Sequence, residues 1–144
     1  MFHRKSDRLD KLSRVPLFDG FSKRELRKIE QQATEVHVRP ERTLTKQGDH
    51  GRQFLLILDG TARVERDGKT IARLKSGDVF GEMSLIDNEL RAASVIADGP
   101  MVLLVISRPA FGKLLDSLPS LRRKIMVGLS HRLREADRKL AARN

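Results

Sequence analysis

A chain of 144 residues is long enough for one domain with a core of its own, because folding at this size buries roughly 68–70% of the surface exposed in the unfolded chain. The absence of cysteine excludes a disulfide framework, a thiolate nucleophile and a cysteine-based zinc site, and it favours a reducing, cytoplasmic location. The net charge of +10 comes from the two ends: residues 1–30 contribute +4, residues 121–144 contribute +6, and residues 31–120 are neutral. A solvated basic face is the simplest explanation, and a surface for phosphate groups or an acidic partner is the alternative.

The amino-terminal part of the chain predicts a surface helix and no membrane segment. Residues 1–11 lack the apolar stretch of a signal peptide, and the longest strongly apolar run, residues 101–106, is far too short to cross a bilayer. The stretch FSKRELRKIEQQA (21–33) has apolar residues at helical spacing, with Ser22 followed three residues later by Glu25. This pattern predicts an amphipathic helix that begins with a capping box.

From Thr34 to Ser107 the pattern changes to short apolar runs separated by turn residues. Asp-Gly or Gly-Asp pairs stand at positions 48–49, 59–60, 67–68, 77–78 and 98–99. Such pairs between alternating apolar segments are typical of successive antiparallel strands. The segment therefore predicts an antiparallel β-barrel or jelly roll of about eight strands.

Two helices are predicted after the last strand. RPAFGKLLDSL after Ser107 indicates a short helix, and Pro119 opens a longer one whose apolar positions advance by three or four residues. The predicted class is α+β within one domain, with a helical segment (1–33), a β-barrel (34–107) and closing helices (108–144).

The stretch FGEMSLIDNELRAASV (80–95) places two charged residues in otherwise apolar surroundings. A glycine followed by the first turn of a helix presents free backbone N–H groups to an anion, and the planar donors of Arg91 suit a phosphate. Glu82 accepts hydrogen bonds when ionised, so it suits a sugar hydroxyl. A salt bridge between Glu82 and Arg91 across a turn is an equally simple explanation of these residues alone.

The wider pattern resembles the phosphate-binding cassette of the cyclic nucleotide-binding domain family, which includes the regulatory subunits of cAMP-dependent protein kinase, bacterial catabolite activators and cyclic-nucleotide-gated channels. The resemblance extends from VPLFDGFSKRELRKI (15–29) through QGDHGRQFLLILDGTARV (47–64) and LKSGDVFGE (74–82) to the last strand and closing helices (106–133). It implies a cassette over residues 80–94.

The resemblance also implies which residues contact the ligand. Glu82 would accept a hydrogen bond from the ribose 2′-hydroxyl, Arg91 would pair with the cyclic phosphate, and nearby backbone amides would complete the anion site. The full set of expected ligand-binding residues is Phe80, Gly81, Glu82, Met83, Ser84, Arg91, Ala92 and Ala93. Family members that favour cGMP often have Thr after the arginine, whereas Ala92 stands here, so cAMP is expected rather than cGMP.

The sequence departs from the catabolite activators in how it would contact the base. Their final helix supplies hydroxyl side chains, but the matching positions here are Ala136 and Asp137, and the chain has neither Trp nor Tyr to stack on a purine. The expected lid residues are Leu133, Ala136, Asp137 and Leu140. No helix-turn-helix module follows, so sequence-specific DNA binding is not expected.

These observations favour a stand-alone cAMP sensor that signals through its carboxy-terminal helix, rather than an enzyme. That helix could also form a homodimer or contact a protein effector. A dimerising or partner-docking scaffold of the same fold that binds no nucleotide is the first alternative, and a basic nucleic-acid-associated regulator is the second. The four histidines are scattered without metal-ligand spacing, so no metal is expected.

Overall fold

The computed structural model describes residues 5–81 and 91–143. Before the sheets lie α1 (Lys5–Ser13), a 3-10 helix (Pro16–Phe18) and α2 (Lys23–Gln32). The strands are β1 (Thr34–Val38), β2 (Thr43–Thr45), β3 (Gln53–Asp59), β4 (Ala62–Arg66), β5 (Lys69–Leu74), β6 (Val79–Phe80), β7 (Ser94–Ala97) and β8 (Met101–Ser107). They are followed by α3 (Arg108–Ser117) and α4 (Pro119–Arg143).

The strands of the described part form two antiparallel sheets of four strands each. One has the order β1-β8-β3-β6 and the other the order β2-β7-β4-β5. Neighbours such as β1 and β8 are distant in sequence, and this long-range pairing is typical of a jelly roll. The prediction of an antiparallel jelly roll with flanking helices is confirmed.

Strands β3 and β8 are buried on both faces, which explains their uninterrupted apolar sequences. One face of β3 packs with the helices through Phe54, Leu56 and Leu58, while the other contributes Leu55 and Ile57 to the space between the sheets. The helical side of this core includes a stacked pair of rings, Phe54 and Phe111, with centroids 5.1 Å apart. The sheet side also contains Val38, Ala62, Phe80, Val95, Ala97, Met101 and Leu103.

Helix α2 begins as the sequence predicts. The Ser22 hydroxyl accepts a hydrogen bond from the Glu25 backbone N–H (3.2 Å), and the Glu25 carboxylate accepts one from the Ser22 backbone N–H (2.9 Å). That backbone N–H, followed by a side-chain hydrogen bond from Ser120, holds the pKa of the Glu25 carboxyl below its ordinary value. The capping box is therefore confirmed.

The sequence predicts a helical segment over residues 1–33 but does not predict α1 as a separate helix. Helix α1 is held by ion pairs with distant residues: Arg8 Nη2 lies 2.6 Å from Glu30 Oε1, and Lys11 Nζ lies 2.5 Å from Asp59 Oδ1. Leu12 of the same helix is buried in the helical core. Tertiary contacts, rather than local sequence preference, therefore define this helix.

Among the side chains that the structure describes, those of helix α4 are buried only near its beginning. Leu121 and Ile125 are buried with Phe111 in the helical core. Its 25 residues extend about 37 Å at 1.5 Å per residue. From Met126 onward the described side chains of α4 are exposed or half-buried, so most of the helix has no partner within the described chain.

Candidate functional site

Arg91 is attached by its backbone to the turn that follows β2. Its N–H donates to the carbonyl of Asp49 (2.7 Å), and its own carbonyl accepts from the Gly48 N–H (2.9 Å). Three residues later the chain enters β7, which pairs with both β2 and β4. Backbone hydrogen bonds therefore hold the Arg91 backbone in place independently of its side chain.

The Arg91 side chain is buried beside the start of β3. The residue is only 9% exposed, and its Nη2 donates to the backbone carbonyl of Gln53 at 2.9 Å. Gly81 lies against the same guanidinium: a Cβ added there would stand 2.6 Å from Arg91 Nη1 and 2.6 Å from the Gln53 carbonyl oxygen. Gly81 also has a φ of +95°, which side chains rarely adopt. The predicted Gly81 and Arg91 are thus brought into contact, and Gly81 is required by both space and backbone conformation.

A cavity of about 420 Å³ opens at Arg91. It is lined by Thr43, Leu44, Thr45, Lys46, Gly48, Asp49, His50, Arg52, Gln53 and Arg91. Arg91 is the buried cation of this lining, whereas Lys46 and Arg52 are exposed. A guanidinium held by fixed backbone groups at a concave surface favours binding of an anion, and its fork of donors suits phosphate.

Arg108, the first residue of α3, holds the backbone next to the two carbonyls that bond Arg91. Its Nε and Nη2 both donate to the Gly51 carbonyl, at 3.1 and 2.7 Å, and its backbone N–H donates to the Arg52 carbonyl at 2.9 Å. Gly51 and Arg52 lie between Asp49 and Gln53, the two residues whose carbonyls hold Arg91. The role of Arg108 was not predicted from the sequence. Its partner is a backbone carbonyl 57 residues away, and every residue type has such a carbonyl, so the sequence contains no motif for this contact.

The other predicted site residues lie in several different places. Phe80 is buried between the sheets, Ala92 is exposed with its carbonyl accepting from Arg66 Nε at 3.2 Å, and Ala93 is half-buried. Glu82, Met83 and Ser84 lie outside the described residues. Of the predicted lid, Leu133, Ala136, Asp137 and Leu140 all lie exposed on α4.

A second charged cluster lies around Arg63 of β4. The guanidinium pairs with Glu41 (2.6 Å), Glu65 (2.7 Å) and Asp98 (3.0 Å), and Arg73 pairs with Asp98 at 2.5 Å. Hydrogen bonds from Arg63 hold the pKa values of the Glu41 and Asp98 carboxyls below their ordinary range. Each cation of this cluster is paired with at least one carboxylate.

Residues 5–81 and 91–143 contain neither a metal-ion cluster nor a membrane-spanning helix. Among these residues, no three His, Asp or Glu side chains are grouped so as to hold a metal ion. No helix in this part of the chain has both the length and the apolar character needed to cross a membrane.

The fold and the site together define a ligand-binding module: a jelly roll, flanked by helices, with a buried arginine at a cavity of about 420 Å³. The family model of the cyclic nucleotide-binding domain matches residues 35–117, which is more than half of the chain. The protein belongs to the cyclic nucleotide-binding domain family.

Individual relatives include proteins from fungi, animals and bacteria. The chain is 35% identical over 113 residues to a cAMP-dependent protein kinase regulatory subunit of Schizosaccharomyces pombe, covering 78% of this chain and 27% of that protein. It is 31% identical over 127 residues to a cGMP-dependent protein kinase of Caenorhabditis elegans, covering 83% of this chain and 16% of the kinase. The chain therefore spans about a quarter or less of these two relatives.

The structural comparison supports the same family. The crystal structure of the Thermus thermophilus catabolite activator protein superposes with a TM-score of 0.79 at 33% identity, over 88% of this chain and 62% of that chain. Together with the family match, this likeness supports a nucleotide-binding regulatory role for this domain.

Proposed function

We propose that this domain binds cAMP at the Arg91 cavity and acts as a regulatory sensor, without a catalytic step of its own. The observation that supports this most directly is the buried Arg91 guanidinium, held by the Gln53 carbonyl at a cavity of about 420 Å³. The cyclic phosphate pairs with this guanidinium, and the ribose 2′-hydroxyl donates to Glu82. Phe80, Gly81, Met83, Ser84, Ala92 and Ala93 make up the rest of the proposed cassette.

The choice of cAMP over cGMP depends on the residue after the arginine. Ala92 has no hydroxyl with which to contact a guanine, and a site without that donor gives cGMP no advantage. Relatives of both kinds occur, since the named kinases include a cAMP-dependent and a cGMP-dependent protein. Purine contacts would come from aliphatic side chains, backbone groups or a partner chain.

The regulatory output is assigned to α4. Its exposed second half includes the proposed lid residues Leu133, Ala136, Asp137 and Leu140, of which Leu133 is 65% exposed. These residues would cover the bound base or meet the same helix of a second copy in an isologous pair. A ligand that favours one helix position shifts the population toward that position, and the altered helix is then presented to an effector in the cytoplasm.

Hydrogen exchange with and without cAMP tests this mechanism. Protection is expected to rise over residues 81–93 and over residues 130–140, while strands distant from both regions change little. Protection confined to 81–93 would show that α4 does not respond, and the sensor mechanism would be wrong although binding remained. The absence of any cAMP effect would favour the scaffold alternative.

A further inference from the structure

Thr45 is a polar residue that is buried at the Arg91 cavity. It is the last residue of β2, it is only 9% exposed, and it lines the cavity together with Arg91. Strand β2 is the outer strand of its sheet, and the residues from Thr43 to Lys46 all line the cavity. The cavity therefore follows β2, and Thr45 supplies the buried hydroxyl of its lining.

The burial of Thr45 depends on an irregularity in β2. Side chains two residues apart share a face of a regular strand, yet Thr43 is exposed whereas Thr45 is buried. The register of β2 against β7 shifts between these two residues, so that Thr43 is opposite Ile96 and Thr45 is opposite Val95. Such β-bulges redirect side chains and are frequent next to functional sites. The bulge therefore accounts for the different environments of the two threonines.

The Thr45 hydroxyl has no hydrogen-bond partner among residues 5–81 and 91–143. It is not sealed inside the protein: in this part of the chain the fully enclosed side-chain atom without a partner is Arg8 Nε, so the Thr45 oxygen keeps contact with the cavity. A buried hydroxyl without a partner destabilises a fold, and valine at this position would avoid that cost. A threonine here therefore favours a partner that enters the cavity.

Thr45 and Arg91 are connected through the turn that follows β2. Three residues after Thr45, the Gly48 N–H donates to the Arg91 carbonyl (2.9 Å), and the Asp49 carbonyl accepts from the Arg91 N–H (2.7 Å). These bonds hold the two residues at one cavity. A phosphate has several acceptor oxygens, so a guanidinium and a hydroxyl can bind the same group.

We propose that Thr45 contacts the ligand: its hydroxyl donates to one exocyclic oxygen of the cyclic phosphate while Arg91 pairs with the same phosphate. This inference rests on the proposed function, which places the phosphate of cAMP at Arg91. It adds a second side-chain donor to the site, and it makes the two exocyclic oxygens of the ligand inequivalent.

Thr45→Val tests the contact, because it removes the hydroxyl and keeps the branched shape. Isothermal titration calorimetry should show about tenfold weaker cAMP binding, as expected for a lost hydrogen bond to a charged acceptor. Without nucleotide, the melting temperature of the variant measured by circular dichroism should be at least that of the wild-type protein, since no bond within the described chain is lost. A structural hydroxyl would lower it.

Two further variants serve as controls. Thr45→Ser keeps the hydroxyl, so its affinity for cAMP should stay within about threefold of the wild-type value. Thr43→Val removes an exposed hydroxyl from the same strand and the same cavity lining, and it should also change affinity less than about threefold.

Two cAMP analogues test which ligand atom is contacted. The Rp and Sp diastereomers of adenosine 3′,5′-cyclic monophosphorothioate each replace one exocyclic oxygen by sulfur, a weaker hydrogen-bond acceptor. Thr45→Val should weaken one diastereomer about tenfold, as it weakens cAMP, and the other less than about threefold.

The outcomes separate this proposal from the proposed function. Wild-type protein that binds no cAMP would refute the proposed function, and this proposal with it. Wild-type affinity for cAMP in Thr45→Val would overturn this proposal alone. Weaker binding with a lower melting temperature in the absence of nucleotide would make the hydroxyl structural. Equal losses for cAMP and both diastereomers would show that the hydroxyl contacts neither exocyclic oxygen.

Discussion

Replacing Arg91 tests the phosphate site. Arg91→Ala removes the guanidinium, and with it at least one charge-assisted hydrogen bond to the ligand, worth about 1.5–3 kcal/mol. This free energy corresponds to roughly 10- to 150-fold weaker cAMP binding. Arg91→Lys keeps the charge but not the planar fork that reaches the Gln53 carbonyl and a phosphate together, so its loss should be intermediate.

The same substitution should leave the fold intact but less stable. The backbone bonds of Arg91 to Gly48 and Asp49 do not involve its side chain and remain in the variant, whereas the Nη2 bond to the Gln53 carbonyl is lost. A hydrogen bond from a charged donor is worth about 1.5–3 kcal/mol, which corresponds to a decrease in melting temperature of roughly 3–12 °C without ligand.

Isothermal titration calorimetry with cAMP and thermal melting without it measure the two effects separately. Arg66→Ala is the matched control, because Arg66 donates to the neighbouring Ala92 carbonyl from an exposed position, and it should change affinity less than about threefold. Unchanged cAMP affinity in Arg91→Ala would refute the phosphate assignment. A large decrease in melting temperature with unchanged affinity would mean that Arg91 is structural.

Three further predictions follow from individual contacts. Glu82→Gln should weaken cAMP more than 2′-deoxy-cAMP in parallel titrations, because only cAMP offers the 2′-hydroxyl; equal losses would leave Glu82 a structural residue. Arg108→Gln should weaken cAMP binding about tenfold, because the Gly51 carbonyl loses its donor, and Arg108→Lys should partly restore affinity. Calorimetry measures both affinities. Wild-type affinity in Arg108→Gln would contradict the positioning role. The Arg63 hydrogen bond is the main cause of the lowered pKa of Asp98 in the folded protein. Ionised Asp98 therefore contributes its full stabilisation above the unfolded-state pKa of about 4. This stabilisation is lost as the pH falls through the lower folded-state pKa. Between pH 6 and pH 2.5 the melting temperature should therefore decrease less in Asp98→Asn than in the wild-type protein. Parallel curves of melting temperature against pH would contradict this assignment.

Most of the β-structure could be predicted, because its turns and its buried strands each correspond to a recognisable sequence pattern. Asp-Gly and Gly-Asp pairs define strand ends, and the doubly buried β3 and β8 have continuous apolar runs. Helix α1 could not be predicted in the same way. It contains few apolar residues, and the partners of its Arg8 and Lys11 lie 22 and 48 residues away.

The candidate site was predictable only in part. The resemblance of residues 80–95 to the family's cassette implied a phosphate site that includes Gly81, Glu82 and Arg91, and the structure places Gly81 and Arg91 together. The contributions of Gln53 and Arg108 could not be predicted, since Arg91 and Arg108 bond to backbone carbonyls that every residue possesses. Only the folded chain shows which carbonyls are in reach.

Calorimetric titration of the wild-type protein with cAMP and with cGMP tests the central proposal most directly. We predict one cAMP site per chain, weaker binding of cGMP, and a rise in melting temperature with cAMP concentration, because a ligand that binds only the folded state stabilises it by mass action. No heat and no melting shift at millimolar cAMP would contradict the sensor proposal.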